Sequence, residues 1–258
     1  MSVMKVIDAL SIPPDARVDQ RVPKKLLLEQ NIPTSADKRQ IQDGIEELLW
    51  LAALKPTNIG VSAFSDNMRE YLEISVLTSK FRSAAKLLRL IELIHRAIPY
   101  PVILIVAHRE AVNISLAHKR WSQGEIGKVV IEDIRYTEPF HPGAPTQLES
   151  SFLTGLKISG LPRTNLFTLY QGWLDCMAAL EAAQITGKFA TPDSVERSKA
   201  LRATLDEHAR LCGDITALRV QAEKEKQLNH RVELNLKIRQ LEAGLKSANK
   251  KLQFRNVE

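Results

Sequence analysis

The amino-acid sequence predicts an α+β fold: a mostly antiparallel β-sheet with helices on one face, followed by a C-terminal helical or coiled-coil region. Between residues 58 and 136, segments with strand or helix patterns follow the order strand, strand, helix, strand, strand, strand. From residue 193 to residue 258 there is no proline, and apolar residues recur at heptad spacing. The 258 residues suffice for one medium domain with an appendage, or for two small domains.

The first part of the chain is expected to form a layer of helices. A short helix is predicted over 2–10, and a second one opens near Val22. Thr34 can cap a third helix, because Asp37 follows it at the spacing of a capping box. Apolar residues then recur with a helical period, so this third helix is predicted to continue to Lys55.

The sheet is predicted from the segments that follow. The predicted elements are strands over 58–64 and 71–77, a helix over 81–98, and strands over 102–107, 112–117 and 128–136. The segment 102–107 is apolar throughout, which is typical of a buried strand. This order of elements favours mostly antiparallel pairing.

The chain is interpreted as four consecutive parts. Residues 1–140 form the α+β domain, and residues 141–162, which are poorly periodic and contain prolines, form a linker or a long loop. Residues 163–190 form a strongly apolar packing helix with Gly187 as its C-cap. Residues 191–254 form a long helix or coiled coil.

The C-terminal part carries a seam of apolar residues with alternating spacings of four and three. The seam residues are Leu234, Ile238, Leu241, Leu245, Ala248 and Leu252. A separate seam lies upstream, at Leu211, Ile215, Leu218 and Ala222. The two registers do not join, and residues 221–227 between them lack core residues, which indicates a coiled coil with a break. We expect a homo-oligomer or a coiled-coil partner; the alternative is a helix packed on its own domain.

The stretch from His95 to Val106 predicts a sharp corner between a helix and a buried strand. Pro99 and Pro101 end the helix, since proline has no N–H and excludes helical geometry from the residue before it. If the next hairpin turns at Glu110, residues whose numbers sum to about 220 face each other across the two strands.

This pairing gathers basic and aromatic side chains into what we call the basic corner. Its residues are His95, Arg96, Tyr100, His118, Lys119, Arg120 and Trp121. Cationic groups beside aromatic rings can bind phosphates and stack on bases, so this is the candidate site for nucleic acid or a partner protein. The alternative is a cationic helix end with solvated lysines. Strand alternation places His118 with core residues and directs Lys119 to the other face.

No catalytic, metal or cofactor site is expected. The histidines are scattered without ligand spacing. The acids on the predicted strands, Glu70, Glu73, Glu132 and Asp133, lack the nearby lysine of a two-carboxylate nuclease centre. The segment from Gly124 to Gly127 is too short for a phosphate-binding loop and precedes a strand.

The composition permits an acidic partner without requiring one. Net charge is +6, and the two cysteines offer no disulfide framework, which fits a reducing cytoplasm. The N-terminus lacks a long apolar region and no run of about 18 apolar residues occurs, so neither a signal peptide nor a membrane span is expected. The expected localisation is cytoplasmic.

Several blocks taken together resemble a bacterial family known as domain of unknown function 4391. The blocks are residues 19–25, 37–39, 45–56, 71–76, 97–101 and 115–120. The resemblance runs from about residue 5 to the coiled coil. It implies gene neighbours that are helicases and DNA methyltransferases in defence clusters, and hence an accessory role in phage defence or a restriction-like system. It implies no catalytic residue.

The expected function is that of a non-enzymatic accessory subunit of a bacterial defence system. It binds DNA or a helicase or methyltransferase partner through the basic corner and assembles through the coiled coil. One alternative is an unrecognised or degenerate nuclease-like enzyme. Another is a structural adaptor without nucleic-acid contact.

Overall fold

The chain forms two units, Met1–Met177 and Ala178–Glu258, in a computed structural model that describes residues 2–29, 34–125 and 128–254. The helices of the first unit are α1 (Ser2–Leu10), α2 (Lys24–Glu29), α3 (Ser35–Gly44), α4 (Pro56–Ile59), α5 (Leu87–Ala97), α6 (Gln147–Gly155) and α7 (Leu166–Thr186), which continues into the second unit. Its strands are β1 (Arg17–Arg21), β2 (Ile45–Leu54), β3 (Phe64–Ser65), β4 (Glu70–Tyr71), β5 (Ile74–Phe81), β6 (Val102–His108), β7 (Ala111–Trp121) and β8 (Val129–Tyr136). Within the described residues, no helix combines the length and hydropathy needed to cross a membrane.

The main sheet has the strand order β1-β2-β5-β6-β7-β8. Neighbouring strands are antiparallel, except that β5 and β6 run parallel and are connected through α5. The predicted α+β class and the mostly antiparallel sheet are therefore confirmed. Strands β3 and β4 form a separate small hairpin.

Helices cover both faces of this sheet, whereas the sequence predicted helices on one face. Residues 102–106 of β6 are each at most 1% exposed. Val102, Leu104 and Val106 belong to one core cluster with residues of α2, α3 and α5. The alternate residues Ile103 and Ile105 face the other side, where α1 contacts β6 and β7. A strand that is apolar on both faces requires cover on both.

The predicted third helix, 35–55, is a helix only in its first half. Its start is as expected, since the Thr34 hydroxyl accepts a hydrogen bond from the Asp37 N–H at 3.2 Å. However, α3 ends at Gly44 and β2 begins at once. Strand β2 pairs with both β1 and β5, so its apolar residues are buried by sheet pairing, which outweighs their helical spacing. At the junction a Cβ on Gly44 would lie only 2.7 Å from Cδ1 of Leu90.

Other boundaries of the predicted elements also move. The predicted strand 58–64 is largely absent: residues 58 and 59 belong to α4, which Pro56 opens at its first helical position, and residues 60–63 have no regular secondary structure. Only Phe64 lies in a strand, β3. In place of the predicted strand 71–77, the long strand of this region is β5, which begins at Ile74 and ends at Phe81. The predicted helix 81–98 begins only at Leu87, because Phe81 still belongs to β5 and pairs with Ile45. The segment around 102–136 follows the prediction closely.

Residues 141–162 are not a linker, because they contain α6. Thr146 and Glu149 form a complete capping box at its start. Phe152 is fully buried, and the Leu156 carbonyl accepts a hydrogen bond from Nε1 of Trp173 at 2.8 Å. The nearby prolines indicated a loop, and the capping box that marks the start of this helix was missed in the sequence.

The second unit contains a pair of helices, α8 (Val195–Lys224) and α9 (Leu228–Phe254), beside the last turns of α7. The long helix expected over 191–254 is therefore two helices. They are connected by residues 225–227, which lie within the segment 221–227 where the sequence predicted a break. The clustered seam residues are Ile215, Leu218 and Ala222 of α8 with Leu234, Ile238, Leu241 and Leu245 of α9. Leu252 packs with Leu201 and Leu205. The seam of α9 thus contacts α8 of the same chain, and its use between chains stays a prediction.

Candidate functional site

The basic corner is built by the end of α5 and the pairing of β6 with β7. Ile98, after the last residue of α5, is extended with φ −106° and ψ 118°. In the hairpin, Ile103 pairs with Leu116 and His108 with Ala111, which agrees with the predicted sum of about 220. This register places Lys119 level with Tyr100.

Lys119 lies buried beneath the turn from α5 to β6. Its Nζ donates hydrogen bonds to the carbonyl oxygens of Ile98 and Tyr100, the latter at 2.5 Å. These carbonyls flank Pro99, so the lysine ties the two sides of the proline corner together. Burial lowers the pKa of the Lys119 amine to about 7.

His95 is buried on the same face of the sheet. Its Nε2 lies 2.9 Å from the Ser115 hydroxyl, and its Nδ1 has no hydrogen-bond partner within the described residues. Burial, reinforced by the nearby charge of Lys119, lowers the pKa of His95 well below its usual value. The ring is therefore neutral near neutral pH.

His118 lies on the opposite face of β7, as strand alternation predicted, and has polar partners there. Its Nδ1 is 2.5 Å from the Tyr71 hydroxyl, and its Nε2 is 2.9 Å from Oε1 of Gln171. Nε2 of Gln171 donates to Oδ1 of Asp175 at 2.8 Å. Burial raises the pKa of Tyr71, so its hydroxyl stays protonated and donates to Nδ1, which assigns the Nε2–H tautomer to His118.

Aromatic rings surround His118. The ring centroids of Phe167 and Tyr170 lie 5.2 and 5.5 Å from the imidazole centroid. The Tyr170 hydroxyl in turn donates to the Val102 carbonyl at 2.7 Å. His118 is thus an internal residue whose partners lie about 50 positions away in the sequence, where no local pattern could indicate them.

The remaining predicted residues lie at the surface. Tyr100 is 49% exposed and Trp121 is 36% exposed. Arg96 is exposed and forms an ion pair with Glu92 at 2.6 Å. Arg120 is half-buried, and its Nη1 donates to the Trp121 carbonyl at 3.3 Å. The seven predicted residues therefore separate into a buried group, His95, His118 and Lys119, and a surface group, Arg96, Tyr100, Arg120 and Trp121.

A cavity of about 310 Å³ opens beside the basic corner. It lies between the end of α5 and the start of β8, and its polar lining residues are His95, Arg96, Lys119, Ser122, Glu125 and Lys128. The sequence did not single out Ser122 and Lys128. They follow the end of β7 and precede β8, and only the pairing of those strands brings them to the corner.

Three of the four acids considered for a nuclease centre form ion pairs with basic side chains. Glu73 pairs with Lys55 at 3.4 Å, Glu132 with Arg69 at 3.1 Å, and Asp133 with Arg135 at 3.3 Å. Across the part of the chain that the structure describes, no three or more His, Cys, Asp or Glu residues are grouped so that they could hold a metal ion.

Comparison with known proteins gives a family match. The model of a family described as "Domain of unknown function (DUF4391)" matches residues 10–245, a span that includes the whole basic corner. No curated protein and no solved structure matches the chain.

Proposed function

This chain belongs to the DUF4391 family of domains of unknown function, and we propose that it is a non-enzymatic accessory subunit that binds nucleic acid at its basic corner. The setting that we propose is a bacterial defence or restriction-like system, with a helicase or DNA methyltransferase as the partner. The observation that carries the proposal is that Tyr100 and Trp121 are exposed, and that along the chain Tyr100 follows Arg96 at the end of α5 while Trp121 follows Arg120 at the end of β7.

This combination suits a single strand of DNA or RNA. Arginine side chains contact phosphates, while exposed aromatic rings stack on unpaired bases whatever their sequence. The positive net charge of +6 favours association with a polyanion. The buried group is engaged in internal hydrogen bonds, so we assign the contacts to Arg96, Tyr100, Arg120 and Trp121 and give Lys119 the role of holding the corner together.

The stacking contribution is tested by replacing each exposed ring at the corner. Tyr100→Leu and Trp121→Leu should each weaken binding of a fluorescent single-stranded oligonucleotide by roughly 5- to 160-fold, since one stacked base contributes about 1–3 kcal/mol. Fluorescence anisotropy measures the dissociation constant, and circular dichroism checks the fold of each variant.

Tyr136→Leu is the matched control, because Tyr136 is 44% exposed on β8 outside the basic corner. If all three variants bind as the wild type does, the rings take no part in binding. If the wild type binds no oligonucleotide, a structural adaptor becomes the better description of the protein.

The second part of the proposal is assembly through the coiled coil. Leu234, Ile238, Leu241 and Leu245 already pack on α8 of their own chain, so assembly through the same residues requires exchange of α9 between two chains. The connection at 225–227 is only three residues long and joins helices of 30 and 27 residues. Short connections of this kind favour exchange.

A further inference from the structure

We propose that the cavity beside the basic corner binds a phosphomonoester, such as the terminal phosphate of a nucleic-acid strand or of a small phosphorylated ligand. For a strand end, this inference rests on the function proposed above. One buried donor, two cations at the cavity mouth and the size of the cavity support it.

The buried donor is Lys119 in its ammonium form, which is only partly populated near neutral pH because burial lowers the pKa to about 7, and which a bound anion would favour. An ammonium has three N–H donors, and the carbonyls of Ile98 and Tyr100 accept two of them. The third has no hydrogen-bond partner within the described residues, although Lys119 is only 4% exposed and lines the cavity. A buried donor without a partner is unfavourable, and an anion in the cavity would satisfy it.

Two cationic side chains stand at the mouth of the same cavity. Arg96 is paired with Glu92, and Lys128 is paired with Glu125, which also lines the cavity. All four side chains are at least 30% exposed. Exposed ion pairs contribute little energy, so both cations can turn toward a bound anion at small cost. The Ser122 hydroxyl, which accepts from the Glu125 N–H at 3.2 Å, retains its own proton to donate.

The size and charge of the site favour a terminal phosphate over an internal one. A cavity of about 310 Å³ lies at the lower end of the range for small-ligand pockets, which suits a phosphoryl group with part of its sugar. A monoester carries about −1.5 to −2 charges near neutral pH. An internal diester carries about one. Arg96, Lys128 and the protonated form of Lys119 therefore favour a monoester over a diester.

The test compares one single-stranded oligonucleotide with a 5′-phosphate, a 3′-phosphate or hydroxyl ends. We expect the wild type to bind at least one phosphorylated form roughly tenfold more tightly than the hydroxyl form, the effect of about one charge-assisted hydrogen bond. The double variant Arg96→Gln, Lys128→Gln should lose this preference. The matched control is the double variant Lys25→Gln, Arg39→Gln, because these two cations also form exposed ion pairs, with Glu29 at 3.5 Å and with Asp43 at 3.4 Å, and neither lines the cavity.

A second measurement separates the two possible sources of the phosphate. In thermal unfolding, adenosine monophosphate and inorganic phosphate should stabilise the wild type and not the double variant. If phosphorylated and hydroxyl-ended strands bind equally and neither small ligand changes the melting temperature, the inference is wrong. If no oligonucleotide binds but a small ligand stabilises the wild type alone, the nucleic-acid function fails and the phosphomonoester site stands.

Discussion

At the scale of single residues, the key feature is that the side chains of His118 and Lys119, which are adjacent in β7, lie on opposite faces of the sheet. His118 is hydrogen-bonded between Tyr71 and Gln171 on the side of α7, and Lys119 holds the proline corner on the side of α5. Both residues are buried, and in both the polar atoms have internal partners. Their packing stabilises the surface that Arg96, Tyr100 and Trp121 present.

The hydrogen bond from Tyr71 to His118 is open to a direct stability test. Tyr71→Phe removes the hydroxyl and leaves Nδ1 of a buried imidazole without this donor. We expect the free energy of unfolding to fall by about 1–3 kcal/mol, the cost of an unsatisfied buried polar atom. Urea denaturation measures this value.

Tyr136→Phe provides the comparison, since it removes the same hydroxyl from an exposed ring. It should change the free energy of unfolding by no more than about 0.5 kcal/mol. If Tyr71→Phe and the wild type have equal free energies of unfolding in urea, the Tyr71–His118 hydrogen bond adds nothing to stability.

The sequence predicted part of this arrangement. Alternation along β7 and the position of the turn at Glu110 were enough to place His118 and Lys119 on opposite faces and near Tyr100. The partners Tyr71 and Gln171 could not be predicted, because they come from distant elements whose packing depends on the whole sheet. The burial of Lys119 was missed for the same reason.

At the scale of elements, the helix-to-strand switch at Gly44 shows where periodicity is ambiguous. Strand β2 lies between β1 and β5, and its apolar run also fits a helical period. Continuous apolar segments do not distinguish a central strand from a buried helix. The strands 102–108 and 111–121 were predicted more accurately because the prolines and the turn residues mark their ends.

The pairing of α8 with α9 gives a prediction about assembly. Leu241→Lys with Leu245→Lys places two charges in the seam and should lower both the helical circular dichroism signal and the oligomer mass in light scattering. Leu236→Lys is the control, because Leu236 is 53% exposed on α9. If the wild type is a monomer, the seam serves only its own chain, and the proposed exchange of α9 is wrong.

At the scale of the whole molecule, the position of the cations matters more than their number. Many basic side chains are exposed and ion-paired, including Lys25 with Glu29, Arg39 with Asp43 and Lys80 with Glu46. Net charge alone does not distinguish these from the cations of the corner. What distinguishes the corner is that Arg96 lines a cavity, and that Arg96 and Arg120 are each followed closely in the chain by an exposed aromatic residue, Tyr100 and Trp121.

The most direct test of this central claim is the salt dependence of single-stranded DNA binding in two matched variants. One carries Arg96→Gln and Arg120→Gln, and the other carries Lys25→Gln and Arg39→Gln, so that both lose two positive charges. Because each neutralised phosphate contributes about −0.7 to the slope of log affinity against log salt on single strands, the corner variant should have a slope shallower by about 1.4. The second variant should keep the slope of the wild type. Equal slopes in the corner variant and the wild type, or equal losses in both variants, would contradict the assignment of nucleic-acid binding to the basic corner.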